Sequence, residues 1–214
     1  MLVYDDLKGR PVIAGNGFLY TLAGAVLLEL HLKQKISIRD KYVYVDSFKT
    51  SGDAVLDMIM EQIRRSSKNK KIKHWVQKIG SKGNKLKNAI LTQMVDKRIY
   101  RKEEYKILGL FTCYRYYNNK VGYKKDLQRK IKKMVLEDAE KSEELFTLVS
   151  LVGSSGLVKK IFSCGMERKY AKRKIKEMIK ENEFGKAINE TIAGANAAII
   201  SAVSASTVVT TGSS

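Results

Sequence analysis

The sequence predicts a mainly α fold: a single helical domain over residues 1–214 with a buried signature helix and two β-hairpins forming winged-helix-like helix–hairpin units. Three observations predict it. Between Phe18 and Ile38, apolar residues fall at Leu19, Leu22, Ala23, Val26, Leu27 and Leu30, the three-and-four spacing of one helix face, and Leu28 and Leu32 widen the stripe. Further helix-period stripes recur to the C-terminus, whereas alternating apolar residues occur in only two short places. The chain has one proline and no internal Gly/Ser linker, which favours one domain over two.

The order of elements follows from local signals. Asp5-Asp6-Leu7-Lys8-Gly9-Arg10-Pro11 is a turn, and Gly15-Asn16-Gly17 is a loop in which Asn16 is the expected cap of the first helix. That helix covers residues 18–33 and is expected to be buried. Gly24 in its middle costs about 1 kcal/mol relative to Ala, so close approach of a neighbour is expected. Glu29 lies between Leu28 and Leu30, where a buried carboxylate would need a partner. Ile36-Ser37-Ile38 and Tyr42-Val43-Tyr44-Val45 then form a hairpin over 36–46.

Asp53 is placed to cap a helix whose face is Val55, Leu56, Ile59, Met60 and Ile63. Lys73–Ile79 is a short amphipathic helix carrying the only tryptophan, Trp75, expected in the core. Asn84–Lys97 is a helix facing inward through Leu86, Ile90, Leu91, Met94 and Val95. A second, longer hairpin spans 99–116, with Arg101–Tyr105 expected between its strands. Leu27-Leu28, Leu32 and Lys35-Ile36 align with Ile90-Leu91, Val95 and Arg98-Ile99 at an offset of 63 residues, a weak internal repeat of helix followed by wing. From Tyr123 the chain reads as helical: a stripe at Leu127, Ile131, Met134, Val135 and Ala139; a buried helix through Leu145–Val152 ended by Gly153–Gly156; a short Leu157–Phe162 piece; and a basic amphipathic Met166–Asn182 segment. Ala187–Val203 reads as a small-residue helix, close-packed rather than membrane-spanning, because Ile192–Val209 is built from Ala, Ser, Thr and Asn.

Charge narrows the function classes. The net charge is +19, and residues 61–102 hold 14 basic residues against two acidic ones. A field that concentrated attracts polyanions, either an anionic bilayer or nucleic acid. Lysine outnumbers arginine 31 to 10, which weakens the case for base-specific reading, where bidentate Arg is favoured. The two cysteines, Cys113 and Cys164, form no CxxC motif and suit a reducing cytosolic compartment. No secretory signal precedes Asp5. His31 and His74 have no ligand at a metal-binding offset, and no P-loop or Gly-x-Ser-x-Gly motif occurs, so neither a catalytic activity nor a cofactor is expected.

Leu22-Ala23-Gly24-Ala25-Val26-Leu27-Leu28-Glu29-Leu30 followed by Lys33-Gln34-Lys35-Ile36 resembles the signature helix of the Golgi phosphoprotein 3 family, in a prokaryotic-type form. Asp5-Asp6-x-x-Gly9-x-Pro11, the Gly52-Asp53 motif, Val95–Ile99, Leu108–Phe111 and Gly156-Leu157 extend the resemblance along the chain. It implies a phosphoinositide-binding adaptor, peripheral on membranes and cytoplasmic, with anionic lipids and protein cargo tails as partners and self-association through the 99–116 hairpin. In the eukaryotic pattern the head-group pocket combines a Trp before the signature helix, an Arg within it and two later basic residues. Here those places fall on Ala14–Phe18, Ala23, and Asn84 with Lys87. Lys82, Asn84, Lys85, Lys87 and Arg98 are therefore the candidate head-group residues, and weak selectivity among acidic lipids is expected. The alternative is a winged-helix-like nucleic-acid-binding protein.

Overall fold

The computed structural model describes residues 1–13, 15–139, 142–181, 186, 189 and 190. Its elements run α1 (Gly15–Leu32), β1 (Ile36–Arg39), β2 (Tyr42–Val45), α2 (Ala54–Arg64), α3 (Ile72–Ser81), α4 (Gly83–Asp96), β3 (Tyr100–Ile107), β4 (Phe111–Asn118), α5 (Val121–Glu137), α6 (Glu143–Ser155), α7 (Val158–Ile161) and α8 (Gly165–Glu181). The architecture is mainly α, with two antiparallel two-stranded sheets, β1–β2 and β3–β4. The expected small-residue helix at 187–203 lies outside the described residues.

Helix α1 is the axis on which α2, α3, α4 and α6 pack. Ala23, Leu27 and Leu30 on it are fully buried, and they join Leu56, Ile59, Met60, Trp75, Val76 and Leu86 in one core cluster. The stripe read from the sequence is thus the buried face. Gly24 is buried, and two glycines of the neighbouring helices admit α1. A Cβ on Gly83 would lie 2.7 Å from Leu19 Cβ, and one on Gly80 would overlap the Tyr20 ring. Only hydrogen at those two positions lets α1 sit so close to the α3–α4 junction.

A second cluster gathers α5, α6, α7 and α8 around Ile131, Val149, Phe162 and Ile175. A third is aromatic. Tyr4 stacks edge-on to Phe18 of α1 at 6.1 Å and to Tyr116 of β4 at 6.0 Å, and lies 5.5 Å from Tyr100 of β3. It holds the hairpin's base to the first turns of α1. The Asp5–Pro11 turn completes that base: Asp5 Oδ1 accepts from the Leu7 and Lys8 amides, and the Tyr116 amide donates to Gly9 O at 2.9 Å. Gly9 has φ +59° and its missing Cβ would meet Arg115 Cβ at 2.9 Å, so glycine is required twice over. Lys124, buried in α5, donates to Tyr4 O at 2.6 Å and pairs with Asp6 at 3.0 Å.

Several expectations are corrected. Helix α1 begins at Gly15, so Asn16 lies inside its first turn rather than ahead of it. Glu29 is exposed and pairs with Lys33 at 3.7 Å; the apolar stripe does not extend round to it. The turn of the second hairpin is Leu108-Gly109-Leu110, not Arg101–Tyr105, because φ values of +53° and +68° at Leu108 and Gly109 make the tight reversal there. Helix α6 runs through Gly153, which is pressed against Ile175, and stops at Gly156 in the left-handed region.

The repeat is present in the backbone with a different offset. Gln34 (φ +53°) and Arg98 (φ +56°) both end their helices in the left-handed conformation. The next amide reaches back in each case: Lys35 N to Leu30 O and Ile99 N to Met94 O, both 2.8–2.9 Å, after which the first strand begins. The matching residues are therefore 64 apart, Gln34 to Arg98. The side-chain alignment at 63 matched apolar residues, but the helix-to-strand joint sets the true register.

Candidate functional site

The five candidate residues lie at the two ends of one helix. Leu86 is the buried anchor of α4's first turn, and the adjoining Lys82, Asn84 and Lys85 are exposed, with Lys87 half-buried. Lys87 Nζ donates to Asn84 Oδ1 at 3.3 Å. No acidic residue occupies this first turn, and Lys82 at the N-cap supplies no side-chain acceptor. The helix N-terminus and three ammonium groups therefore place positive potential at one spot. Arg98 lies beyond the other end of the helix. Fourteen residues of helix separate the ends by about 21 Å, so Arg98 does not join the first four. It is exposed at the hairpin base, and its carbonyl accepts from Asn119 Nδ2.

Ala23, at the place where the resemblance implies an Arg, is fully buried in the core cluster that also includes Leu86. A guanidinium could not replace its methyl group without opening that core. Ala14, the first residue of the stretch where the pattern carries a Trp, lies outside the described residues.

The hairpin carries features that reading the sequence as strands did not expose. Its base is anchored by the buried Tyr100 and Asn118, while exposure rises toward the turn. Leu108, Leu110 and Phe111 are 85%, 80% and 64% exposed, with Ile107 beside them. Cations flank this apolar end along the shaft: Lys102 Nζ stands 3.7 Å over the Tyr114 ring, Arg115 4.5 Å over Tyr105, and Arg101 5.4 Å over Tyr117. The signal was present as Ile107-Leu108-Gly109-Leu110-Phe111, an apolar run centred on a glycine. Periodicity alone reads such a run as buried strand; the turn geometry leaves it uncovered by the described residues.

Among the described residues no helix is long and apolar enough to cross a membrane, and no group of three potential metal-ligating side chains converges. The sequence model of one family, described as Golgi phosphoprotein 3 (GPP34), matches residues 1–195. No curated protein matches the chain.

Proposed function

Because the chain belongs to the Golgi phosphoprotein 3 (GPP34) family, we propose that it is a non-enzymatic, peripheral membrane adaptor that docks on anionic lipid surfaces from the cytoplasmic side. The observation that carries this reading is the hairpin end: Leu108, Leu110 and Phe111 project into solvent above a shaft on which four cations, Arg101, Lys102, Lys106 and Arg115, outnumber the carboxylates of Glu103 and Glu104. Apolar side chains above a shaft of net positive charge suit the interface of an acidic bilayer, where acyl chains lie beneath negatively charged head groups. Lys82, Lys85 and Lys87 with Asn84, and Arg98 separately, add attraction of about 1 kcal/mol for each basic residue near the surface. With alanine at position 23 and one matched lysine at position 87, the head-group pocket of the eukaryotic pattern is incomplete. The protein therefore responds to surface charge more than to one phosphoinositide, since a phosphomonoester held selectively needs several charge-assisted donors.

The experiment is co-sedimentation with phosphatidylserine-containing vesicles at low and raised salt, with excess duplex DNA as competitor. Retention on vesicles that weakens with salt supports the reading. Transfer of all protein to DNA favours the helix–wing alternative instead, and binding to neither leaves protein cargo tails or a second copy as the partner class.

A further inference from the structure

The outer edge of β2 is paired for only part of its length. Successive residues of an antiparallel strand turn their backbone groups to opposite sides. Tyr42 and Tyr44 face β1, and Asp46 continues that side by donating to Lys35 O. Lys41, Val43 and Val45 face away from it. On this outer side Val43 N donates to Lys70 O at 3.0 Å and Ile72 N donates to Lys41 O at 2.8 Å, bracketing the Tyr42–Lys71 bridge. The ladder stops there. In the same register the next partners are Val45 and Lys68, but the Val45 and Lys70 amides donate to no described residue, and no described amide reaches Val43 O or Val45 O. Lys68 O accepts from the Ser66 hydroxyl instead, at 2.7 Å.

A pocket of about 300 Å³ occupies the gap, with Val43–Val45 on one side and Ser66 and Lys68–Lys70 on the other. Ile63 and Phe48, the latter 77% exposed, extend its apolar wall. The Trp75 ring lines it as well, but its indole N–H is sealed from solvent and takes no part. None of the described residues lining the pocket is acidic, and Arg64, Lys68 and Lys70 bring positive charge to it. Arg64 is held in place: its Nη2 donates to Ser47 O at 3.2 Å and Lys49 O at 3.4 Å, and its guanidinium lies 5.5 Å over the Phe48 ring.

Three features select the occupant. The open ladder offers donors and acceptors together, the Val45 amide beside the carbonyls of Val43 and Val45, and Tyr44 and Asn69 add further acceptors. A bare anion uses only the donors, whereas extended polypeptide backbone matches both by adding a strand to the open edge. The Tyr42–Lys71 bridge closes the groove just past Val43, so a strand has no way through and only a chain end fits. The cations then choose which end: a terminal carboxylate is attracted and a terminal ammonium repelled. The volume stands at the lower end of small-molecule sites, which limits the contact to the last residues, and the wall of Val45, Phe48 and Ile63 favours an apolar final side chain.

We propose that this opening captures the C-terminal carboxylate of a partner polypeptide, whose last residues extend β2 as a short added strand. The site shares no residue with the α4 lysines or the hairpin tip, and the proposal does not rest on the membrane reading.

The full chain is tested without lipid against an array of synthetic hexapeptides varied at their last two positions, each made with a free C-terminal carboxylate and as the C-terminal amide. Peptides with a free carboxylate and an apolar last residue should bind best, and their amides should bind at least about tenfold more weakly, as expected when a charge-assisted contact is lost. Lys68→Ala/Lys70→Ala keeps the backbone carbonyls that hold the bridge and the loop. It should weaken the best peptide about tenfold with the melting temperature nearly unchanged, because Lys68 is exposed and Lys70 partly so. Amide hydrogen exchange followed by NMR reads the added strand directly: exchange at Val45 should slow when the peptide saturates the protein, while exchange at Leu108 and Leu110 of the hairpin turn stays as it was. An array with no binder among the free carboxylates, amides that bind as tightly as the acids, unchanged affinity in the lysine double variant, or unchanged exchange at Val45 would each overturn the proposal.

Discussion

Gln93 Nε2 donates to Asp53 Oδ2 at 2.6 Å, joining the start of α2 to the last turn of α4 across forty residues of chain. The other oxygen of the same carboxylate caps α2 by accepting from the amides of Val55 at 3.0 Å and Leu56 at 3.2 Å. Lys97 adds a charge at 3.6 Å. One side chain thus serves a helix cap and an interhelical tie, which accounts for an aspartate in this motif without any catalytic role.

Asp53→Ala should therefore destabilise by more than the roughly 1 kcal/mol typical of a lost cap, because Gln93 and Lys97 lose their partner too. Asp53→Asn should recover part of the loss, since the amide oxygen still accepts from α2. Partial burial of the Asp53 carboxyl opposes its ionisation, but the bonds from Gln93, Leu56 and Val55 and the Lys97 charge outweigh it and hold the group below the usual carboxylate range. Its contribution is present above the unfolded value near 3.9 and is lost as pH falls from there through the folded value. Thermal melts from pH 7 to pH 2 check this: the difference between wild type and Asp53→Ala should shrink only at the acid end.

Arg98→Gly separates stability from binding. Arg98 occupies the left-handed region at φ +56°, which costs a non-glycine residue about 1–2 kcal/mol, whereas glycine adopts it freely. The variant should melt a few degrees higher and bind anionic vesicles more weakly. Arg98→Ala loses the same charge without relieving the backbone, so it should share the binding loss and gain no stability. Equal vesicle binding by all three proteins would remove Arg98 from the lipid-facing set.

Leu108→Ser/Leu110→Ser/Phe111→Ser should leave the melting temperature nearly unchanged, because these side chains are largely exposed in the folded protein and little burial is lost. Vesicle binding at raised salt should fall sharply, since the apolar part of the attraction is the part that salt does not screen. Sedimentation velocity on the same variant shows whether the tip also joins two copies of the chain: a dimer that dissociates on substitution makes it a protein contact.

Lys85→Ala/Lys87→Ala should weaken vesicle binding by about 2 kcal/mol at low salt and by much less at high salt. Unchanged binding would place the electrostatic contact elsewhere on the surface.

Gly83→Ala sets two effects against each other. Alanine gains about 1 kcal/mol of helix propensity over glycine. Its methyl group would lie 2.7 Å from Leu19 Cβ, and overpacking of that kind costs roughly 1–3 kcal/mol. Leu19 Cβ cannot swing aside as a side-chain tip could, so net destabilisation is expected in denaturant titration.

The helices and the Asp53 cap were legible in the sequence because they are local. The stripe through Leu19–Leu30, the Asp53 cap and the inward face of α2 depend on neighbours three or four residues away. Net charge and its concentration before residue 102 likewise need no coordinates. Tertiary structure decided what depends on residues distant in sequence. Whether Glu29 is buried is set by where the packed stripe of α1 ends. The Asp53–Gln93 tie, the seats of Leu19 and Tyr20 on Gly83 and Gly80, and the unpaired indole of Trp75 arise only when helices separated in sequence meet. The hairpin tip shows the same division. The apolar run from Ile107 to Phe111 is plain in the sequence, but side-chain hydrophobicity carries no record of whether another element arrives to cover it.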